Sequence, residues 1–396
     1  MSQLATFEVD KHEKFFNRFL LLLPSKLQSE DSNRLALIYF SLHGLGLLKR
    51  LNFSKEELIK YSQFIYNDFL IENEEFVAFR ATSAFKQTPE YDFGNLSATL
   101  FALLNLLILE SDYSSKLNNH KVMKFLSMLQ VKEGEHKGSF VPTLREVNGK
   151  FEQYGESDLR LCYIAASIRH LMRYDSLSPS ERINDIDTSA LTEFVLNRIN
   201  FSGGLSAISD VESHLGFTYC GIGCLRLLNY KFGPEFDDTI SWLVHRQVDY
   251  PAELYNFDYE YHQEEDIGSF NGRDNKFGDT CYSWWCTGSL ALIEPKNLSL
   301  VDLDRAKYYL LNTTQNQLLG GFSKDPDSNP DPYHSFLAIA SLALWQQYED
   351  IIIENGATTR HAESSSDPEP FKFDGIDEAL VITKKSKEFF QHTIHY

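Results

Sequence analysis

Asp279 and Cys281, in the run Gly278-Asp279-Thr280-Cys281-Tyr282-Ser283-Trp284-Trp285, and His334, in Asp331-Pro332-Tyr333-His334, offer a carboxylate, a thiolate and an imidazole. Such donors bind zinc. Three protein ligands mark a catalytic rather than a structural site, because the fourth position stays open to substrate. Each residue also has a plain structural reading: Asp caps helices, a lone Cys packs as a small hydrophobe, and His often sits in a core. Their company distinguishes them. Arg273, Lys276 and Tyr282 lie close by in sequence, and a guanidinium, an ammonium and a phenol beside a metal suit a negatively charged leaving group.

These residues must be positioned by helices. Gly138-Ser139-Phe140, Gly203-Gly204-Leu205, Gly268-Ser269-Phe270 and Gly320-Gly321-Phe322 recur along the chain, each followed by a segment of small and apolar residues: 160–171, 217–228, 280–293 and 333–345. Segment 95–109 reads as an earlier copy without the glycine signal. Spacings of three and four, as in Cys162, Ala165, Ala166 and Leu171, predict helices. Charged amphipathic stretches, 239–248 and 306–318, lie between the apolar ones. Alternation at this period predicts an all-α chain folded as one α-α barrel, a toroid of helical hairpins with apolar helices inside, charged helices outside and a central apolar funnel. The candidate ligands then lie on corresponding helix ends around one cavity.

With 396 residues, 43% hydrophobic content, 30 Phe and 20 Tyr, the chain can bury a large core. The apolar run around 19–23 is too short for a signal peptide or a membrane span, and 100–109, broken by Asn105, fits a core helix. A soluble cytoplasmic protein is expected. Five scattered cysteines, Cys162, Cys220, Cys224, Cys281 and Cys286, read as reduced thiols. A formal charge of -19 argues against a nucleic-acid binder. Residues 251–266, with six carboxylates and no Lys or Arg, read as an exposed acidic insertion that would suit a basic peptide. Residues 355–370, rich in Ser, Asp, Glu and Pro, read as a mobile loop before a last helix near 376–390.

The run Asn271-Gly272-Arg273-Asp274-Asn275-Lys276-Phe277-Gly278-Asp279-Thr280-Cys281-Tyr282-Ser283-Trp284-Trp285 resembles the zinc-site signature of protein prenyltransferase β subunits. Gly320-Gly321-Phe322 with Tyr333-His334-Ser335 is similar to the family's later signature, as are Ser213-His214-Leu215-Gly216-Phe217-Thr218-Tyr219-Cys220-Gly221 and Asp158-Leu159-Arg160-Leu161-Cys162-Tyr163, in the family's order. The resemblance covers most of the chain. It implies that Asp279, Cys281 and His334 hold one zinc ion, and that a protein's C-terminal CaaX cysteine attacks C1 of an isoprenoid diphosphate there. It further implies that His214, Arg273, Lys276 and Tyr282 act on the diphosphate. Arg160 and Leu161 would lie near the CaaX carboxylate, and Tyr163, Cys220 and Trp285 would line the lipid and peptide channel.

Asn33-Arg34-Leu35-Ala36-Leu37-Ile38-Tyr39-Phe40 is similar to the first helix of the geranylgeranyl type I branch. Ala36 stands where farnesyltransferases carry a bulky Trp, which implies room for one further isoprene unit near Ala36 and Phe40. Lys324 stands where farnesyltransferases use an Asp to hold magnesium, so the resemblance implies diphosphate binding by Lys324 and transfer without magnesium. Tyr91-Asp92-Phe93-Gly94-Asn95-Leu96-Ser97 also resembles the type I pattern and implies Asn95 and Ser97 near the CaaX terminal pocket. The implied partners are an obligate helical α subunit, geranylgeranyl diphosphate, and CaaX-terminated proteins such as Rho-type small GTPases. Two alternatives remain at this point: a farnesyltransferase β subunit, and a helical-repeat scaffold that only binds partners. A terpene cyclase is disfavoured because Asp185-Ile186-Asp187 and Asp237-Asp238 each lack the further carboxylate needed for a metal cluster.

Overall fold

The computed structural model describes residues 3–23, 25–86, 88, 90–209, 211–250, 263–354 and 371–396. Helices alternate in pairs: α1 (Val9–Leu21) with α2 (Arg34–Leu47), α3 (Lys55–Phe69) with α4 (Leu96–Ile108), and α5 (Asn119–Leu129) with α6 (Leu159–Leu171). Then follow α7 (Thr188–Leu196) with α8 (Leu215–Leu227), α9 (Asp237–Val244) with α10 (Thr280–Ile293), and α11 (Leu303–Tyr308) with α12 (Pro332–Glu354). The second helix of each pair packs on the second helix of the next, and α12 packs back on α2, closing an inner ring of six. These inner helices are apolar on nearly every side because neighbours and the core cover them all round. The expected α-α toroid is therefore the observed fold. Minor β-structure, four two-stranded antiparallel pairs among the described residues, accompanies the helices.

The repeated glycines weld each turn to the next outer helix. Gly138, Gly203, Gly268 and Gly320 all have left-handed φ, between 74° and 95°, where a side chain is strained. A Cβ there would lie 2.2–2.4 Å from the carbonyl oxygens of Ala190, Asp238, Arg305 and Lys11 respectively. The first three oxygens belong to α7, α9 and α11, the last to α1, so the same joint that links successive repeats also closes the ring. Phe140, Leu205, Phe270 and Phe322, two residues after each glycine, are fully buried. A glutamine clamp, not anticipated from the sequence, recurs beside the joint. Gln130 donates to the Asp187 carbonyl (2.9 Å) and accepts from the Asp187 N–H (2.8 Å), and Gln247 does the same with Asp302 (2.8 and 2.8 Å). Gln315 repeats it on the first outer helix, donating to the Thr6 carbonyl (3.1 Å) and accepting from the Glu8 N–H (2.9 Å).

His12 completes the closing joint. Its Nδ1 accepts the Gly321 N–H (2.9 Å), so the neutral ring carries its proton on Nε2 and donates to Gln315 Oε1 (2.9 Å). Burial drives this imidazole down from 6.5 to about 4, against the opposing pull of Gln315. The unfolded chain therefore takes up the proton first. Stability from this joint is complete above about pH 6.5 and declines as pH falls through about 4, by up to roughly 3 kcal/mol at 1.36 kcal/mol per unit. A His12→Gln variant should be less stable at pH 7.5 and show a flatter melting temperature between pH 7 and 4.5; equal slopes for variant and wild type would contradict this.

The last described stretch departs from expectation. Instead of a helix over 376–390, a hairpin of β1 (Ile376–Asp377) and β2 (Ile382–Thr383) precedes α13 (Lys384–Thr393). Asp377 makes the turn, its carboxylate accepting the Leu380 N–H (2.8 Å) and its carbonyl the Val381 N–H (3.0 Å). Residues 251–262 of the acidic insertion, and the whole of 355–370, lie outside the described residues. Asp266, expected on an exposed insertion, is buried: its carboxylate accepts the Gly278 N–H (2.9 Å), bracing the base of the loop that leads to Asp279. The longest apolar run is core as expected, and the buried Asn105 amide donates to the Leu35 carbonyl (2.9 Å), tying α4 to α2. All five cysteines are free and buried. Among the described residues no helix is long and apolar enough to cross a membrane.

Candidate metal centre and apolar cavity

Every candidate ligand sits at the N-terminal end of an inner helix. Asp279 caps α10 by accepting the Cys281 N–H (2.8 Å), which leaves its second oxygen uncommitted to the cap. Asp331 does the same for α12, where Pro332 suits the first helical position; it accepts the His334 N–H (3.0 Å). The start of α10 is tied to residues 323–324, whose strand pairs with Pro330 and Asp331 just ahead of α12, because Thr280 donates its N–H to the Lys324 carbonyl (2.9 Å) and its hydroxyl to the Ser323 carbonyl (2.7 Å). Asp279, Cys281 and His334 consequently converge, with their ligand atoms all within 4.8 Å of one another.

The donor set fits zinc. Burial raises the Asp279 carboxyl, but the His334 ring 3.4 Å away and the hydrogen bonds from Cys281 together outweigh it and hold the acid below its usual range. Burial also opposes charge on His334, yet Asp279 and Asp331 together lift it to about 9. Burial and then Asp279 push the Cys281 thiol up. An anionic oxygen, a buried sulfur and an imidazole thus face one spot, where a bound metal ion would take over the balancing of Asp279 from the protonated His334 ring. Asp331 Oδ2 lies 2.5 Å from His334 Nδ1 and turns Nε2 toward Asp279, the orienting contact typical of zinc-bound imidazoles.

Beside the triad, His214 caps α8 through Nδ1, which accepts the Gly216 N–H (3.0 Å). Burial and then the nearby Arg273 lower its pKa, so the ring is neutral and its proton sits on Nε2. That proton goes to the Tyr282 oxygen at 3.2 Å, leaving the Tyr282 O–H to donate elsewhere. Gly272 makes this possible, since a Cβ there would meet the Tyr282 ring at 2.2 Å. The Leu215 N–H donates to the Gly272 carbonyl (2.9 Å), pinning the loop that carries Arg273 and Lys276 next to His214. Arg273 is half exposed and pairs with Glu212 (3.2 Å), Lys276 is exposed, and Lys324 lies 3.9 Å from Asp325.

A cavity of about 550 Å³ opens from this centre down the barrel axis. It is lined by the expected Phe40, Arg160, Tyr163, Cys220 and Trp285, and its rim holds His214, Cys281 and Tyr282. Ala36, Asn95, Ser97, Leu161, Arg273, Lys276 and Lys324 are not among its lining residues. Asn95 is committed to capping α4 (Ala98 N–H, 2.9 Å) and Leu161 is buried in the core. Arg160 pairs with Asp158 (2.6 Å) and overhangs the Phe217 ring at 5.6 Å. Sequence reasoning did not assign Tyr39, Phe101, Tyr219 and Phe336, nor Leu380 and Val381 from the terminal hairpin, all of which line the cavity. Tyr333 is another, and its phenol oxygen accepts the Trp285 indole N–H (3.2 Å).

Residues 7–381 match the family model of the prenyltransferase alpha-alpha toroid domain. A chain of the solved Candida albicans protein geranylgeranyltransferase-I complexed with GGPP is 52% identical and superposes with a TM-score of 0.89, over 99% of this chain and 100% of that one. The geranylgeranyl transferase type-1 subunit beta of Arabidopsis thaliana is 30% identical over 360 residues, 87% of each chain. That of Dictyostelium discoideum is 26% identical over 358 residues, 85% of this chain and 90% of its own. With the ring of helices, the glycine joints and the clustered ligands already in hand, these matches establish that the chain belongs to the prenyltransferase α-α toroid family.

Proposed function

We propose that this chain is the catalytic β subunit of a protein geranylgeranyltransferase of type I. It transfers geranylgeranyl from its diphosphate to the Cys thiol of C-terminal CaaX sequences, with terminal Leu or Phe preferred. One observation carries the reading: the Asp279, Cys281 and His334 cluster stands at the mouth of an apolar cavity rimmed by Arg160, His214 and Tyr282. The 52% identity to a geranylgeranyltransferase-I chain supports the choice of lipid.

Zinc held by the triad would lower the pKa of a coordinated substrate thiol and so supply a thiolate at neutral pH. In the transfer a sulfur–C1 bond forms as the C1–oxygen bond breaks; diphosphate leaves with the electron pair and the thiol proton passes to solvent. Phe40, Tyr163, Cys220 and Trp285 hold the isoprenoid against apolar walls; Ala36, on α2 but outside that lining, is the small residue to which the first-helix resemblance assigns the longer lipid. The free O–H of Tyr282, kept free by His214, donates to the leaving oxygens as charge grows on them. Arg273 exchanges its exposed partner Glu212 for diphosphate at little cost, since such surface pairs contribute about 0–1 kcal/mol. Lys276 and Lys324 add positive charge, which makes magnesium dispensable. Arg160 receives the peptide carboxylate, near Asn95, Ser97, Leu161 and Trp285. An α subunit completes the enzyme, which acts in the cytoplasm on CaaX proteins such as small GTPases.

The test is a competition. The chain, co-purified with its α subunit, is given equimolar farnesyl and geranylgeranyl diphosphates and CaaX peptides ending in Leu, Ser or Met. Geranylgeranylated Leu peptide should dominate, with about one zinc per complex and a single-turnover rate unchanged when magnesium is withdrawn. Magnesium-dependent farnesylation of the Ser and Met peptides would make it a farnesyltransferase instead. Absence of both zinc and transfer would make it a scaffold.

A further inference from the structure

The loop that carries Arg273 and Lys276 also carries an acid, Asp274, between them. A carboxylate there works against the two cations, because it can pair with either and it repels any anion they receive. The fold supplies a third cation from behind. Arg246, two residues past the end of α9, is buried at 7% exposure, and its Nη1 pairs with the half-exposed Asp274, its one ion-pair partner among the described residues. Trp242 fixes the guanidinium, which overhangs the indole ring at 5.0 Å and donates through Nε to the Trp242 carbonyl (3.3 Å). The Arg246 carbonyl accepts the Asn271 N–H (2.9 Å) at the start of the loop, and Asn271 bridges to Gly278 at its end. The loop thus closes over a tight turn, with Asn275 at φ 54°, that leaves Arg273 and Lys276 exposed.

The preceding repeat has the same arginine without the acid. Arg198, two residues past the end of α7, is also buried and overhangs the Phe194 ring at 4.1 Å. Its carbonyl accepts the Ser206 N–H (3.1 Å), and Ser206 follows Leu205 as Asn271 follows Phe270. Its Nη1, however, donates to a neutral group, the Ser209 hydroxyl (2.9 Å). Bracing the loop is therefore common to both repeats, whereas compensating a carboxylate occurs in the one whose loop carries Arg273 and Lys276. We infer that Arg246 is a positioning residue for the lipid diphosphate: by holding and neutralising Asp274 it leaves Arg273 and Lys276 free to receive the anion. Its influence falls on lipid affinity rather than on the metal ligands, because Asp279 is fixed separately, by its N–H to the Phe270 carbonyl (3.1 Å) and by its cap on α10.

The inference rests on the lipid-transfer reading above. Its test uses the complete αβ complex and measures the Kd for geranylgeranyl diphosphate, inhibition by inorganic diphosphate, the KM for a CaaX peptide and the zinc content. Arg246→Gln should weaken both diphosphate ligands by roughly 10-fold, the scale of one uncompensated charge near a protein surface, and leave the peptide KM and zinc unchanged. Asp274→Asn in the same chain should recover most of that affinity, since removing the anion removes the need for its partner. A merely structural arginine would give the same loss with either residue at 274. Should glutamine prevent folding, Arg246→Lys, alone and with Asp274→Asn, keeps the comparison: lysine preserves the charge and should bind the lipid nearly as tightly as wild type. Unchanged affinity in Arg246→Gln, or a loss in either Arg246 variant that Asp274→Asn does not relieve, would overturn the inference and leave the lipid-transfer reading intact. A wild-type complex that binds neither diphosphate would overturn both.

Discussion

Replacing Cys281 by serine should strip the metal and reduce transfer by more than about 100-fold, because even the outer contacts of zinc ligands are worth about 10–100-fold. A hydroxyl at this position is a far poorer zinc donor than a thiolate. It would also sit in a pocket 5% exposed beside Asp279, where nothing but a cation or a proton balances the charge. Cys286 is the internal control. Its thiol is fully buried on the same helix but donates to the Leu243 carbonyl (3.2 Å), away from the ligand cluster, so Cys286→Ser should keep its zinc and most of its activity. Metal content by mass spectrometry of the native complex separates the two. Full zinc in Cys281→Ser would remove this residue from the ligand set.

Alanine at Gly203 or Gly320 should be nearly as damaging, but to folding rather than chemistry. Left-handed backbone alone costs a non-glycine residue roughly 1–2 kcal/mol. Here a Cβ would also meet a backbone oxygen at 2.2 Å, one that cannot rotate away because it belongs to a helix. The expected loss exceeds about 4 kcal/mol, the range reserved for core or backbone disruption. Gly134 provides the comparison: its φ of 79° is just as strained, but nothing lies within 4 Å of its Cβ. Gly134→Ala should therefore show the conformational cost alone, and denaturation midpoints measured side by side would reveal whether the joint or the dihedral matters.

Much of this was legible from spacing. Helix 280–293 and the joints at Gly138, Gly203, Gly268 and Gly320 were readable because a left-handed turn followed by a buried Phe or Leu leaves a sequence trace. The metal triad was readable because of its company: Arg273, Lys276 and Tyr282 lie beside Asp279 and Cys281 in the sequence, and the surrounding run resembles a known zinc-site signature. The cavity lining was only partly readable, although a rule was present. Arg160 and Ile164, Gly216 and Cys220, Cys281 and Trp285, and Tyr333 and Leu337 stand at the second and sixth positions after the caps Asp158, His214, Asp279 and Asp331, and all line the cavity. Aligning the repeats on their caps, rather than on their glycines, would have found Ile164, Gly216 and Leu337. No such alignment finds Leu380 and Val381, because a hairpin crossing the barrel's end has no counterpart in the other repeats. Nor could charge content reveal that Asp266 turns inward, since that depends on the Gly278 N–H reaching it from across a loop.

The joint between His12 and Gly321 spans 309 positions of sequence. A ribosome adding about 5–20 residues per second takes roughly 15–60 s to cover that distance. Throughout that interval α1 and α2 can pair with each other, but the flank of α2 that meets α12 has no partner. An open array of repeats can stop anywhere and cap itself; a ring cannot. Its first and last repeats form a seam that cannot close until α12 has been made, and until then an apolar edge stays available to chaperones or to other nascent copies. Slowing elongation just before α12 is made should therefore increase aggregation of this chain more than slowing it before α2 is made.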